Sequence, residues 1–502
     1  MKNALTVVMD CGSTNATVIA VDDRGHLVHS ASRPNASTHQ AGGGESGRIW
    51  DVDQIWGKLS DACRQVCAEV DRERIRAVTI CTFGADGAPV RPDGTLTYPA
   101  ICWQDTRTEP LVSEIAERMD AWTIFAETGY QIIPFNTLLR LMWLRKHAPE
   151  ALDRADCFMM MPGLLSFKLS GERSIDPTSG GTTMAMELGK RDWSKRMLAL
   201  ADVDASLFPR WVEPGAVIGH VHREASEQTG LPVGIPVIAA GHDTQFAAIG
   251  SGASPGEAIL SSGTWEILML RIAQFEPNRF GFEEGLLYEC DAVAGFCDPQ
   301  LLMMGSGALE WMRKHIYADL GDGGAAYARM IEDAENVPPG SVGVTVLPSF
   351  VAETGPTKKY HTQGTILGLS PTTDRGQLYR AALEGLSFQL RHALDILTKA
   401  TGFEAEGIRI VGGGSKNALW NQIRADVTGL PVTTIAEKEA TVLGAALFAF
   451  CGAGHFASLE EGQTRAAKAD RIFEPSEHRA IYEDLFARYL KAPAALEGFY
   501  RS

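Results

Sequence analysis

The sequence predicts an α/β protein built from two similar halves that face one another across a cleft. Three observations carry this. An apolar run ending in a carboxylate, Leu5 to Asp10, passes through the small-residue turn Cys11-Gly-Ser-Thr-Asn15 into an alternating run, Thr17 to Asp22. A second strand–turn–strand pattern recurs over 257–272, with its turn at Ser261-Ser262-Gly263-Thr264. Each hairpin opens a series of mixed strand-like and helical segments, and 502 residues leave room for about two to four domains with cores of their own. The expected division is 1–249, 257–455 and a C-terminal helical extension, 456–502.

Composition narrows the function. Hydrophobic residues make up 45% and charged residues 22%, which excludes wholesale disorder. The formal charge of −16 excludes a nucleic-acid or anionic-membrane surface, since both need clustered Lys and Arg. An anionic ligand must then be held by local backbone donors or a metal. Nine cysteines are scattered without a CxxC pair, which argues against structural zinc or a dithiol centre and fits a reducing cytosol. Leu5–Met9 is too short for a signal peptide, and no apolar run reaches the roughly eighteen residues of a membrane span. A cytoplasmic protein is expected.

Taken in order, Leu5–Asp10 reads as a buried strand whose following turn suits a phosphate. Gly12 lets the backbone approach closely, Ser13 and Thr14 offer N–H groups and hydroxyls, and Asp10 would reach a magnesium ion through water. A plain hairpin is the alternative reading. Leu27–Ser32 is a third strand. Asp51–Asp71 spaces Ile55, Leu59, Cys63, Val66 and Val70 as an amphipathic helix. Ala77–Phe83 is a buried strand ending in Gly84-Ala-Asp-Gly87, either a sugar-contacting loop or an ordinary turn. Trp103-Gln-Asp105 precedes a helix through 113–119. Asn136–His147 is a helix whose flanking aromatics, Phe135 and Trp143, are expected in the core.

Residues 151–234 supply a helix and Gly/Pro-broken segments. The strand Ile235–Ala240 then leads into Gly241-His-Asp-Thr-Gln, placing Asp243 where a carboxylate can activate a hydroxyl. A joint of Gly, Ser and Pro, 250–256, separates it from the second hairpin, whose turn would receive a nucleotide phosphate. Gly305-Ser-Gly307 opens a helix, and 376–401 is a long one. Ile408–Val411 is a strand ending in Gly412-Gly-Gly414 and followed by a helix, 418–429. Three glycines there allow a flat ring to lie on bare backbone, with Asn417 in reach of base or ribose. The string is not GxGxxG, so a dinucleotide fold is not indicated. Residues 431–435 and 440–450 close a last strand–helix pair.

Over essentially the whole chain these features resemble the FGGY carbohydrate kinases, a branch of the actin/hexokinase-like ATPases. The resemblance rests on Phe135-Asn-Thr-Leu-Leu-Arg140-Leu-Met-Trp143-Leu, with Arg140 where the family usually has Lys, and on Ala381-Ala-Leu-Glu-Gly385-Leu386. The strings TFGADGA (82–88), AGHDTQFA (240–247), SSGTWEILM (261–269) and VGGGSKNALWNQ (411–422) strengthen it. It implies two ribonuclease H-like domains flanking a nucleotide cleft, with ATP and Mg²⁺ as cofactors. The implied activity is phosphorylation of the C1 hydroxyl of a ketose, a 6-deoxy-ketohexose such as L-fuculose first. L-Rhamnulose, a pentulose or autoinducer-2 are alternatives, and an actin- or chaperone-like ATPase is the rival of another class. Carried over by residue, Asp243 is the catalytic base, and Gly84, Asp86 and His242 meet the sugar. Gly12, Ser13, Thr14 and Thr264 hold phosphates, Gly413 and Asn417 hold adenosine, and a further nucleotide contact belongs near 305–310. The implied partners are a small sugar and ATP, with neither nucleic acid nor membrane, and a homo-oligomer is compatible.

Overall fold

The structure, a computed structural model, describes residues 3–42, 47–351, 354–436 and 439–501. Strand β1 (Leu5–Cys11) is apolar at nearly every position because both of its faces are covered. It pairs antiparallel with β2 (Asn15–Asp22), which pairs antiparallel with β3 (Leu27–Pro34). On its other side β1 runs parallel to β4 (Ile75–Thr82). β5 (Val217–His220) and β6 (Pro236–Ile238) complete a six-stranded sheet of order β5-β6-β4-β1-β2-β3. Helix α1 (Val52–Glu69), capped by the Asp51 carboxylate on the Gln54 N–H, packs Ile55, Leu59 and Val66 onto this sheet.

The second lobe repeats the scheme. β7 (Glu257–Ser262), β8 (Trp265–Met269), β9 (Leu287–Cys290) and β10 (Cys297–Met304) form antiparallel pairs. β7 runs parallel to β11 (Gly407–Val411), and β11 runs parallel to β12 (Val432–Ile435). The edge strand β13 (Ala469–Phe473) is antiparallel, giving the order β9-β10-β8-β7-β11-β12-β13. In both lobes, then, an antiparallel meander is joined through its first strand to two parallel strands and an antiparallel edge. The C-terminal segment adds helices at Leu459–Ala466, Arg479–Tyr489 and Ala492–Tyr500, so β13 makes it more than a helical appendage.

Two helices cross between the lobes. α2 (Thr137–His147) braces the first lobe, whereas α3 (Asp243–Gly250) meets α7 (Ala440–Gly452) of the second; α4 (Ser306–His315), α5 (Arg375–Thr401) and α6 (Ala418–Thr428) belong to the second lobe. A Cβ on Gly444 would lie 1.9 Å from the Phe246 carbonyl oxygen, so α3 and α7 touch backbone to backbone. Phe246 and Phe448 pack edge to face beside the crossing, with ring centroids 5.3 Å apart. No described helix is long and apolar enough to cross a membrane.

Candidate active site

The parallel strands of both sheets end on the same cleft, as ligand sites in α/β folds require. In the first lobe β1 delivers Asp10 and its turn, β4 delivers Gly84, and the segment after β6 delivers His242 and Asp243, with a bridge joining Thr82 and His242. In the second lobe the β7–β8 turn carries Thr264 and the end of β11 carries the three glycines.

The first turn is shaped by Asn35. Its side-chain N–H donates to the Gly12 carbonyl (2.8 Å), and its backbone N–H donates to the Thr14 carbonyl (2.7 Å). Two carbonyls are thereby tied back, while Thr14 stays exposed and Gly12 and Ser13 half-buried at the cleft. Burial, then the charges of Asp243 and Glu439, push Asp10 up to about 7.

Asp243 begins α3. Its Oδ1 accepts from the Thr244 N–H (2.7 Å) and hydroxyl (3.2 Å) and lies 3.4 Å from His242 Nε2. About a third of the side chain is open to the cleft. Burial raises its pKa, and the neighbouring His242 opposes that rise. On the far side of the imidazole, Nδ1 lies 3.2 Å from Glu289 Oε2. Burial alone would lower His242; the Glu289, Asp243 and Asp176 carboxylates outweigh it and bring it to about 9.

Next to His242 and Thr244 opens a pocket of about 220 Å³. Its walls are chiefly apolar: Phe83, Trp103, Ile133, Phe135, Ile267, Leu287 and Leu302. Gly84, Tyr130, Thr182, Glu289 and Gln300 supply polar atoms. Gly84 has no alternative here, because a Cβ would come within 2.8 Å of Thr182 and 3.0 Å of His242 Nε2. Ala85 follows at φ 66°, a strained turn held by the Thr137 hydroxyl and Arg140 on its carbonyl, each at 2.7 Å. A larger groove of about 840 Å³ is lined by Trp50, the start of α1 and residues 93–99. It contains none of the cleft residues.

Two expectations are corrected. Asp86 does not face the pocket: it is fully buried and accepts from Trp50 Nε1 (2.5 Å), the Trp103 N–H (3.0 Å) and Arg140 Nη1 (2.5 Å). It holds Trp103 in the wall and Arg140 behind it. Phe135, expected in the core, is half-buried and lines the pocket edge-on to Trp103, while Trp143 stacks on His147 away from it.

In the second lobe the phosphate turn and the glycine loop touch. A Cβ on Gly412 or Gly414 would collide with Ser262, whereas one on Gly413 would meet no described residue within 4 Å. Gly413 therefore borders open space of the kind a flat base needs. Asn417 caps α6, its Oδ1 accepting from the Trp420 N–H (3.0 Å), which leaves its amide N–H facing Tyr379 Oη at 3.5 Å. Gly305–Gly307 embraces the turn from behind: the Gly305 and Gly307 N–H groups donate to the Thr264 carbonyl (3.1 Å each), and Ser306 N–H to that of Gly263 (2.8 Å). Glu310 points away, accepting from Arg313 and Tyr327.

Beneath both loops lies a buried ion pair, Arg424 with Glu266. Arg424 also donates to Ser262 Oγ (2.9 Å) and Asn421 Oδ1 (2.8 Å), and Asn421 donates to the Ser415 carbonyl (2.8 Å). The sequence reading gives no role to Glu266, Asn421 or Arg424, nor to Tyr130, Gln245, Glu289 or Gln300. The available signal was polarity in the wrong place: Glu266, Glu289 and Gln300 each interrupt an apolar strand.

Two α/β lobes of one plan, a carboxylate at Asp243 beside a chiefly apolar pocket lined from both lobes, and a small-residue turn in each lobe fit a phosphotransferase of the sugar-kinase type. The chain belongs to the FGGY family of carbohydrate kinases. The family's N-terminal domain matches residues 5–250 and its C-terminal domain residues 258–453. The chain is 39% identical over 485 residues to L-fuculokinase of Escherichia coli K12, covering 97% of this chain and all of that one. Autoinducer-2 kinase of Salmonella typhimurium is 29% identical, over 86% of this chain and 84% of that one. Xylulose kinase of Rhodospirillum rubrum shares the fold at a TM-score of 0.89 and 24% identity, over 99% of this chain and 100% of that structure.

Proposed function

We propose that the protein phosphorylates the C1 hydroxyl of a 6-deoxy-ketohexose, L-fuculose, at the expense of ATP. The observation that carries the reading is the pocket between His242 and Leu302: its apolar wall suits a methyl group where an ordinary hexose would present a hydroxyl, and His242 in its lining lies 3.4 Å from the Asp243 carboxylate. Likeness to L-fuculokinases over nearly the full length supports the same sugar.

In this reading Asp243 accepts the proton of the attacking hydroxyl. Phosphoryl transfer has a loose transition state, so the proton leaves late and positioning dominates over basicity. Burial of Asp243 nevertheless raises its affinity for that proton, a favourable direction for a base. Gly12, Ser13, Thr14 and Thr264 would hold the phosphates, and Gly413 offers open space for the adenine. Asp10 would hold Mg²⁺ through water; when bound, that ion neutralises phosphate charge. The nine unpaired cysteines and the need for ATP support a cytoplasmic location.

A coupled ADP-release assay across L-fuculose, L-rhamnulose, D-ribulose, D-xylulose, glycerol and the autoinducer-2 dihydroxyketone tests the reading. The highest kcat/KM is expected for L-fuculose. A preference for a pentulose or glycerol would end the deoxy-sugar assignment, and ADP release equal with and without every sugar would favour a plain ATPase.

A further inference from the structure

The geometry points to Glu289 as a positioning residue: supplied by the second lobe, it reaches the sugar site of the first and, through His242, fixes which oxygen of Asp243 meets the sugar hydroxyl. This rests on the kinase reading for the role of Asp243 and goes beyond it in naming the residue that aims the base.

Glu289 stands on β9 between Tyr288 and Cys290, both core residues, yet its carboxylate is buried among side chains of the opposite lobe. Oε1 accepts from Tyr130 Oη at 2.5 Å. Oε2 accepts from Gln245 Nε2 at 2.5 Å and lies 3.2 Å from His242 Nδ1. All three partners are in the first lobe. The other ring nitrogen, Nε2, lies 3.4 Å from Asp243 Oδ1, the atom that already accepts from the Thr244 N–H and hydroxyl. Among the described residues every polar contact of the Asp243 carboxylate falls on Oδ1, which leaves Oδ2 as the proton acceptor.

The ring has little freedom to leave this arrangement. The His242 N–H donates to Thr178 Oγ1 at 2.9 Å, and Gly84 closes against the imidazole edge. Three carboxylates face it: Glu289 from β9, Asp243 from α3, and Asp176 from the loop before residues 177–181. They outweigh the cost of burying the charge and keep the ring protonated at neutral pH. A protonated ring carries an N–H on both nitrogens, and its charge pairs with Glu289 at 3.2 Å on one side and with Oδ1 at 3.4 Å on the other. Its charge also opposes the burial and the Glu289 charge that raise Asp243. The Glu289–His242–Asp243 series thus alternates in sign across the lobe boundary.

The test compares E289Q, H242Q and the double variant in the sugar-dependent assay, with the His242 ring titrated by NMR in the wild-type protein. In E289Q we expect kcat to fall roughly tenfold or more with the ATP KM unchanged, and the alkaline limb of the kcat profile to move from near pH 9 toward the ordinary histidine value of about 6.5. Because Glu289 acts through His242, the double variant should be no slower than H242Q. A wild-type His242 that titrates below pH 7, or losses that multiply in the double variant, would overturn the inference, and the titration holds even if E289Q does not fold. A wild-type protein that phosphorylates no sugar removes the kinase reading instead, and the titration then still decides whether Glu289 sets the histidine.

Discussion

At Asp243 the reaction needs a proton acceptor, and almost everything around it is backbone or side chain arranged to keep that acceptor charged and aimed. D243N keeps the shape and removes the basicity, so its kcat should fall by about 10²–10⁴-fold while the dissociation constant for ATP, read by calorimetry, stays within a small factor. Near-normal turnover would remove the assignment. Gly413 offers a complementary test. Its neighbours Gly412 and Gly414 are glycine because Ser262 presses on them, but among the described residues nothing presses on Gly413. G413V should therefore fold normally and raise the KM for ATP roughly tenfold or more, with the sugar KM nearly constant. Parallel loss for both substrates would argue that the loop holds no base. Asp243, His242 and Gly84 were legible because each lies at the end of an apolar run. Asp86 was misread because its spacing says nothing about which way its side chain turns, and only the fold brings Trp50 and Arg140 to it. Glu289 and Tyr130 were invisible for a related reason: 159 residues separate them in the chain, and their pairing exists only once the lobes meet.

Among the elements, the two nucleotide-facing loops depend on a brace neither contains. Glu266 follows the phosphate turn on β8, Arg424 lies on α6 behind the glycine loop, and both are fully buried. E266Q leaves the guanidinium uncompensated and should cost about 3–5 kcal/mol in urea unfolding, with a raised ATP KM. The double variant E266Q/R424M should regain much of the stability, since the stranded charge is gone. If E266Q unfolds like wild type, the pair contributes nothing. The β9–β10 hairpin holds a second buried feature. Among the described residues neither oxygen of Asp298 meets a hydrogen-bond donor, while Asp291 beside it accepts from Arg271 and the Val293 N–H. Burial, then the Asp291 charge, raise Asp298 well above the usual carboxylate range, with Arg271 opposing. The folded protein thus keeps a proton that the unfolded chain releases near pH 4, so the contribution is complete below that pH and is lost as pH rises through the folded value. D298N has no proton to lose, and its Tm should fall less between pH 6 and pH 9 than that of wild type. Strands such as β1, β4 and β11 were legible from runs that are mostly apolar. The polar interruptions in β8, β9 and β10 carried the added information, but their partners are set by tertiary packing.

Across the whole molecule, the two sheets repeat one plan, and the repeat was readable from two hairpins in similar surroundings. How the lobes meet was not, because the contact is made by glycines, which leave no apolar signature. Gly250 and Gly444 let α3 and α7 approach until a single methyl group would collide: a Cβ at Gly250 would fall 1.9 Å from the Ala440 carbonyl oxygen. α3 starts with the proposed base, and the residue preceding α7, Glu439, bears electrostatically on Asp10, so this crossing sets the distance between the chemistry of one lobe and the loops of the other. G444A should force the helices apart, costing roughly 1–3 kcal/mol in unfolding free energy. Because the added methyl lies away from both ligand pockets, the ATP and sugar dissociation constants should each change little, while kcat falls because the halves of the site no longer meet in register. Loss of stability with kcat intact would show that the crossing is only packing. Loss of kcat with both ligands still bound would show that the spacing of the lobes is itself part of the active site.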